Sequence, residues 1–175
     1  MSLVKSESNL DRVYGRLNNL FADQRDTPER YWELDRFGVQ FVVTRTNLFP
    51  TDCREGFTDF RERDFSVRIA APERAAMEML HLVPKEVGFA EAQLIVENLV
   101  ALRTDLVQRL LEACRSVKVK RLFLYMAEKK DHSWLSKLDL PKVGLGKGKR
   151  MIVRHGRLDA KYQITVPVDH EGTPS

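Results

Sequence analysis

The hydrophobic period of this chain changes between Ile69 and Ala76, and that change limits the folds open to it. Phe65, Val67 and Ile69 alternate with Ser66 and Arg68, the pattern of a half-buried strand. From Ala71-Pro72-Glu73 onward the apolar residues recur every three or four positions. A proline near the first turn and an acid beside the positive helix end open the first helix, Ala76, Met79, Leu80 and Val83 form its inner face, and Pro84 ends it. A second helix presents Ala92, Ile95, Val96, Leu99 and Leu102 on one side. Thr104 reads as the N-cap of a third, packed through Val107, Leu110, Leu111 and Cys114. Ser116 reads as the cap of a fourth, packed through Val119, Leu122, Phe123 and Met126, and Ser133 as the start of a short last helix with Trp134 and Leu135. Met79, Leu80, Ile95, Leu99, Leu110, Leu122, Phe123 and Met126 are therefore expected in one core.

β structure is expected on both sides of these helices. Val39 to Val43 and the short stretch Asp59-Phe60 read as strands. Lys149–Arg154 and Tyr162–Val166 read as a hairpin around His155 to Asp159, stopped by Pro167, which has no N–H for a ladder. Alternation would put Arg150, Ile152 and Arg154 on an exposed face and Met151 and Val153 on a packed one. Leu10 to Ala22 carries a rough helical stripe that Asp26-Thr27-Pro28 breaks. The whole is α+β, with a small N-terminal β region, a central helical bundle and a C-terminal β-hairpin. A chain of 175 residues suits one domain with a small appendage. Residues 1–36 read as an N-terminal extension, helical in part, and 168–175 as a disordered tail.

No run approaches the ~18 apolar residues of a membrane span, and the N-terminus lacks the basic-then-apolar plan of a signal peptide. Cys53 and Cys114 read as reduced, partly buried thiols of a cytoplasmic protein, and no CxxC supports zinc. His81, His132, His155 and His170 form no HExxH or HxH pattern, and His81 reads as a residue at the core edge. No GxSxG elbow is present. Asp59, Glu62, Asp64 and Glu73, with Lys161 distant, could be arranged into a metal nuclease site, but acids interleaved with Arg61, Arg63 and Arg68 suit exposed strand positions better. The reading is a non-enzyme, with no catalytic residue, metal, cofactor or small-molecule substrate expected.

The charge is polarised. Arg115 to Lys161 holds 14 Lys or Arg against 4 Asp or Glu, whereas residues 1–114 hold 15 basic and 19 acidic residues. On the fourth helix Lys118, Arg121, Tyr125 and Lys129 fall on one stripe, suited to a phosphate backbone, an acidic protein surface or plain solvent. As exposed charges, Lys118 and Arg121 are expected to tolerate reversal to Glu with stability changed by within about 0.5 kcal/mol. Gly144 to Arg150 reads as a flexible basic loop rather than a P-loop, because Arg150 stands where Ser or Thr would follow the lysine and a strand replaces the helix. Arg154, Arg157 and Lys161 extend the zone. The expected interaction surface thus comprises Lys118, Lys120, Arg121, Lys129, Lys147, Lys149, Arg150, Arg154, Arg157 and Lys161. A basic nucleic-acid-binding module without catalytic activity is one function that fits it.

Longer words carry a family likeness. Ser116 to Tyr125, Trp134 with Lys137-Leu138-Asp139-Leu140, Gly148-Lys149-Arg150, Gly156-Arg157-Leu158-Asp159 and Tyr162 to Pro167 occur in an order that resembles the C-terminal domain of AbiEi-type antitoxins. Asn47-Leu48-Phe49-Pro50, Ala71 to Ala75 and Phe89 to Leu102 are also similar to that family, so the likeness covers residues 37–167. The resemblance implies a bacterial type IV toxin–antitoxin system, acting in abortive phage infection, whose antitoxin counters a nucleotidyltransferase-like toxin. It also implies, in full-length relatives, an N-terminal winged helix-turn-helix that binds operator DNA and represses the operon. That unit needs about 60 residues or more, and 36 precede the similar region, so it is expected to be absent from this chain.

Overall fold

The computed structural model describes residues 29–34, 39–44, 46–63 and 65–168. The expected helix over Leu10 to Ala22 and the tail beyond Val168 lie outside them. The chain forms two units, Met1–Thr46 and Asn47–Ser175. In the first, β1 (Glu29–Leu34) pairs antiparallel with β2 (Val39–Thr44), from Glu29 opposite Thr44 to Leu34 opposite Val39. β2 is the expected strand. β1 carries Glu29, Arg30 and Glu33 and shows no apolar alternation, so sequence reasoning missed it.

The second unit opens with β3 (Phe57–Glu62) and β4 (Phe65–Ala70), an antiparallel hairpin. Its two-residue connection holds Arg63 at φ 42, the positive φ that tight hairpin turns require. Four helices follow among the described residues: α1 (Pro72–Leu82), α2 (Phe89–Glu97), α3 (Thr104–Ala113) and α4 (Val117–Glu128). Two single 3-10 turns, Leu135–Lys137 and Leu140–Lys142, lead to β5 (Arg150–Met151), β6 (Arg157–Asp159) and β7 (Ile164–Val166).

α4 is the axis of this unit. Every residue from Val119 to Ala127 is buried, and a helix buried all round is a core helix rather than a surface one. It packs against α1, α2 and β7. Phe123 meets the Trp134 ring at 5.6 Å between centroids, and Trp134 Nε1 donates to the Leu99 carbonyl at 3.0 Å. His132 also stacks on Trp134, at 5.2 Å, with Nε2 3.1 Å from the Val96 carbonyl oxygen. Leu80, Leu110, Leu122, Phe123 and Met126 are fully buried, as the periodicity requires.

Several expectations need correction. Ile95 is 43% exposed, because α2 ends at Glu97 and buries only Ala92 and Val96; Leu99 and Leu102 lie beyond the helix and are half-buried. Met79 is half-buried, and Met77 takes the inner place instead. Thr104 is the first residue of α3, not its cap. The Arg103 N–H at that end goes to the Glu73 carboxylate at 2.9 Å. Ser116 does cap α4, accepting from the Val119 N–H at 3.3 Å. Ile69 is 43% exposed, so β4 buries less than its alternation suggests.

The C-terminal sheet also differs in detail. Its strand order is β5-β7-β6, with β6 antiparallel and β5 parallel to β7. The hairpin is therefore β6–β7, and the segment expected to be its first arm joins the far edge. β5 stops after Met151, which is 70% exposed, while Ile152 is buried, the reverse of the alternating expectation. The cause is the Thr165 hydroxyl. Its Oγ1 accepts from the Ile152 N–H at 2.9 Å and donates to the Val153 carbonyl at 3.1 Å, bending the chain inward.

Candidate interaction surface

The basic residues of α4 are not a surface stripe. Lys118 is half-buried, and its Nζ donates to the carbonyls of His81 at 2.7 Å and Val83 at 2.6 Å. Those carbonyls belong to the C-terminal end of α1, where a cation offsets the helix dipole and satisfies orphan acceptors. Burial, with Lys85 adding to it, pushes the Lys118 ammonium below its usual pKa.

Lys120 and Arg121 are buried, at 7% and 3% exposure. Lys120 Nζ donates to the Gly144 carbonyl at 3.3 Å. Arg121 Nε donates to the Leu145 carbonyl at 2.8 Å and Nη2 to that of Gly146 at 3.0 Å. Its Nη1 reaches the carbonyls of Gly148 at 2.6 Å and Gln163 at 3.3 Å. The planar fork of an arginine suits such divided donation, which a lysine cannot match. Burial lowers the Arg121 pKa, and Arg150 adds to it. Gly146 and Gly148 sit at φ +63 and +79, where L side chains rarely go, and a Cβ on Gly146 would stand 2.9 Å from Val117 Cγ2. The loop expected to be flexible is thus fastened to α4 through its carbonyls.

Tyr125 is buried as well, edge-on to Tyr162 at 6.3 Å. At the end of α4, Lys129 is exposed and lies 5.6 Å over the Tyr125 ring. Lys161 pairs with Glu128 and lies 5.3 Å over the Tyr162 ring. A hydrogen bond from Lys161 holds the Glu128 carboxyl below its usual pKa despite some burial; burial and Glu128 together raise the Tyr162 hydroxyl.

What stays at the surface is the far side of the fastened loop and the rim of the C-terminal sheet. Lys147, Lys149, Arg150, Arg154 and Arg157 are exposed. Arg150 and Arg157 stand on the two edge strands that flank β7. The structure therefore sorts the ten expected residues. Lys118, Lys120 and Arg121 serve the fold from within, and the other seven are exposed. Arg121 follows Lys118 and Lys120 and precedes the apolar run Leu122-Phe123-Leu124, and three glycines stand at alternate positions from Gly144 to Gly148; neither feature alone separates a buried clasp from an exposed stripe. Glu128 and Thr165, which hold the sheet region together, gave no signal.

Among the described residues no group of three or more His, Cys, Asp or Glu could hold a metal ion, and no helix is long and apolar enough to cross a membrane. A search of the curated proteins and of the solved structures found no match. Residues 20–167 match the model of a family described as "Transcriptional regulator, AbiEi antitoxin, Type IV TA system". The match begins upstream of the similar region 37–167 and ends at the same residue. The chain belongs to this family of AbiEi antitoxins of type IV toxin–antitoxin systems.

Proposed function

We propose that this chain is a non-enzymatic antitoxin of the bacterial cytoplasm that counters a nucleotidyltransferase-like toxin in abortive phage infection. The antitoxic part is residues 37–167, and its working surface is the exposed basic rim of the C-terminal sheet. The family match over residues 20–167 is the observation that supports the antitoxin role. The rim is supported by its charge: Lys147, Lys149, Arg150, Arg154 and Arg157 are exposed and close together in the sequence. A nucleotidyltransferase-like toxin would act on nucleotides, which are polyanionic, so the same rim suits either the toxin or a molecule the toxin acts on. In relatives with a winged helix-turn-helix, operator binding and autorepression belong to that unit.

Co-expression with the toxin encoded beside the gene tests the role. Growth of toxin-bearing cells should be restored by this chain. Persistent arrest at equal expression of folded protein would refute the reading. Assays for nuclease activity or nucleotidyl transfer with divalent metal should be blank.

A further inference from the structure

The fastened loop has a second side. The carbonyls of Gly144, Leu145, Gly146 and Gly148 all turn toward Lys120 or Arg121. In a trans peptide the N–H of the next residue points the opposite way. The amides of Gly146, Lys147 and Lys149 therefore face away from the buried cations, and no acceptor among the described residues takes a hydrogen bond from them. Glycine leaves the approach open, since a Cβ on Gly148 would meet only Arg150 Nη1, at 3.7 Å. Outward amides beside cations are the setting in which backbone binds oxyanions.

A second observation points the same way. Buried charge is ordinarily paired with opposite charge. Among the described residues no carboxylate lies in ion-pair range of Lys120 or Arg121, nor of Lys147, Lys149 or Arg150. Five cations thus surround one short loop, answered on the inside by carbonyl dipoles alone.

We propose that the outer rim from Gly146 to Arg150 binds a run of phosphates. Because the carbonyls converge on one guanidinium, the amides diverge, and one small anion cannot reach them all. A chain of phosphates passing over the rim can. A carboxylate offers one planar charge, whereas each phosphate presents more acceptor oxygens to the amides and lysines. Tyr125, Trp134 and Tyr162 are buried, so they offer no face on which a base could stack, and the contact reads the phosphates and not the bases. The phosphates could come from a nucleoside polyphosphate or a nucleic-acid strand. The site lies within the basic rim proposed above as the working surface, and it rests on that reading for its biological role while its ligand class is tested by binding alone.

Amide-resolved NMR of the full chain tests the proposal, with tripolyphosphate, a single-stranded oligonucleotide and polyglutamate as probes. Tripolyphosphate and the strand should move the amides of Gly146, Lys147 and Lys149 most, whatever the base composition. The tighter of the two names the source. Lys147→Ala with Lys149→Ala should weaken binding about tenfold and flatten its log–log salt dependence by about 2. Equal shifts from polyglutamate, shifts as large at Arg154 and Arg157, an unchanged affinity in the double variant, or no shift would each overturn it. Growth rescue is a separate readout, so either idea can fail alone.

Discussion

Arg121 places a full charge inside the protein and answers it with four main-chain carbonyls. Arg121→Leu would leave those carbonyls without their donor and should cost about 3 kcal/mol in urea unfolding. A loss within about 0.5 kcal/mol would show that the clasp is dispensable. The expectation that reversing Lys118 and Arg121 to Glu is harmless is withdrawn for the same reason: a carboxylate would be forced against carbonyl oxygens. Glu73 is the matching buried acid, 2% exposed. Burial alone would raise its pKa, but hydrogen bonds from the Arg103 side chain and backbone outweigh that and hold it below 4.5. A carboxyl whose folded pKa is depressed lends stability above its unfolded value and loses it as pH falls through the folded one. Glu73→Gln should therefore lower the thermal midpoint at pH 7 and narrow the gap to the parent as pH falls below about 4.5. An unchanged gap down to pH 3 would contradict this.

At the scale of elements, burial in α1 and α3 follows the helical period closely, and the expected inner residues of α4 are buried along with the rest of that helix, so most of the core was legible. Phe123→Ala should cost about 3–5 kcal/mol, since the ring is fully buried against Trp134; parent-like thermal unfolding would mean the register is wrong. The misses share a cause. α2 is nine residues long, so a stripe extended through Leu99 and Leu102 runs past its end and misphases Ile95. β5 is two residues long, and a side chain on a neighbouring strand, Thr165, decides which way Ile152 turns. Such contacts depend on pairing that no local period encodes. Gly156 marks another: a Cβ there would lie 2.2 Å from the Val166 carbonyl oxygen. Gly156→Ala should destabilise the β6–β7 corner by about 1–3 kcal/mol, read as faster amide exchange at Thr165 and Val166; unchanged exchange would show that the corner gives way freely.

For the molecule as a whole, the basic excess between Arg115 and Lys161 was legible as a quantity but not as a surface. Charge counts do not say which cations meet carbonyls inside, and the i, i+3, i+4 geometry that makes a stripe also makes a buried face. Lys118, Lys120 and Arg121 went inward because α4 is covered on all sides, and only the tertiary fold reveals that. The central claim is that the buried cations shape the loop while Lys147, Lys149 and Arg150 do the work outside. Its most direct measurement is growth rescue by the Lys147→Glu, Lys149→Glu, Arg150→Glu variant, co-expressed with the toxin at matched levels and with its thermal midpoint checked against the parent. The variant should keep a parent-like midpoint, since exposed substitutions change stability by about 0.5 kcal/mol or less, and should lose rescue. Full rescue by the folded variant would contradict it.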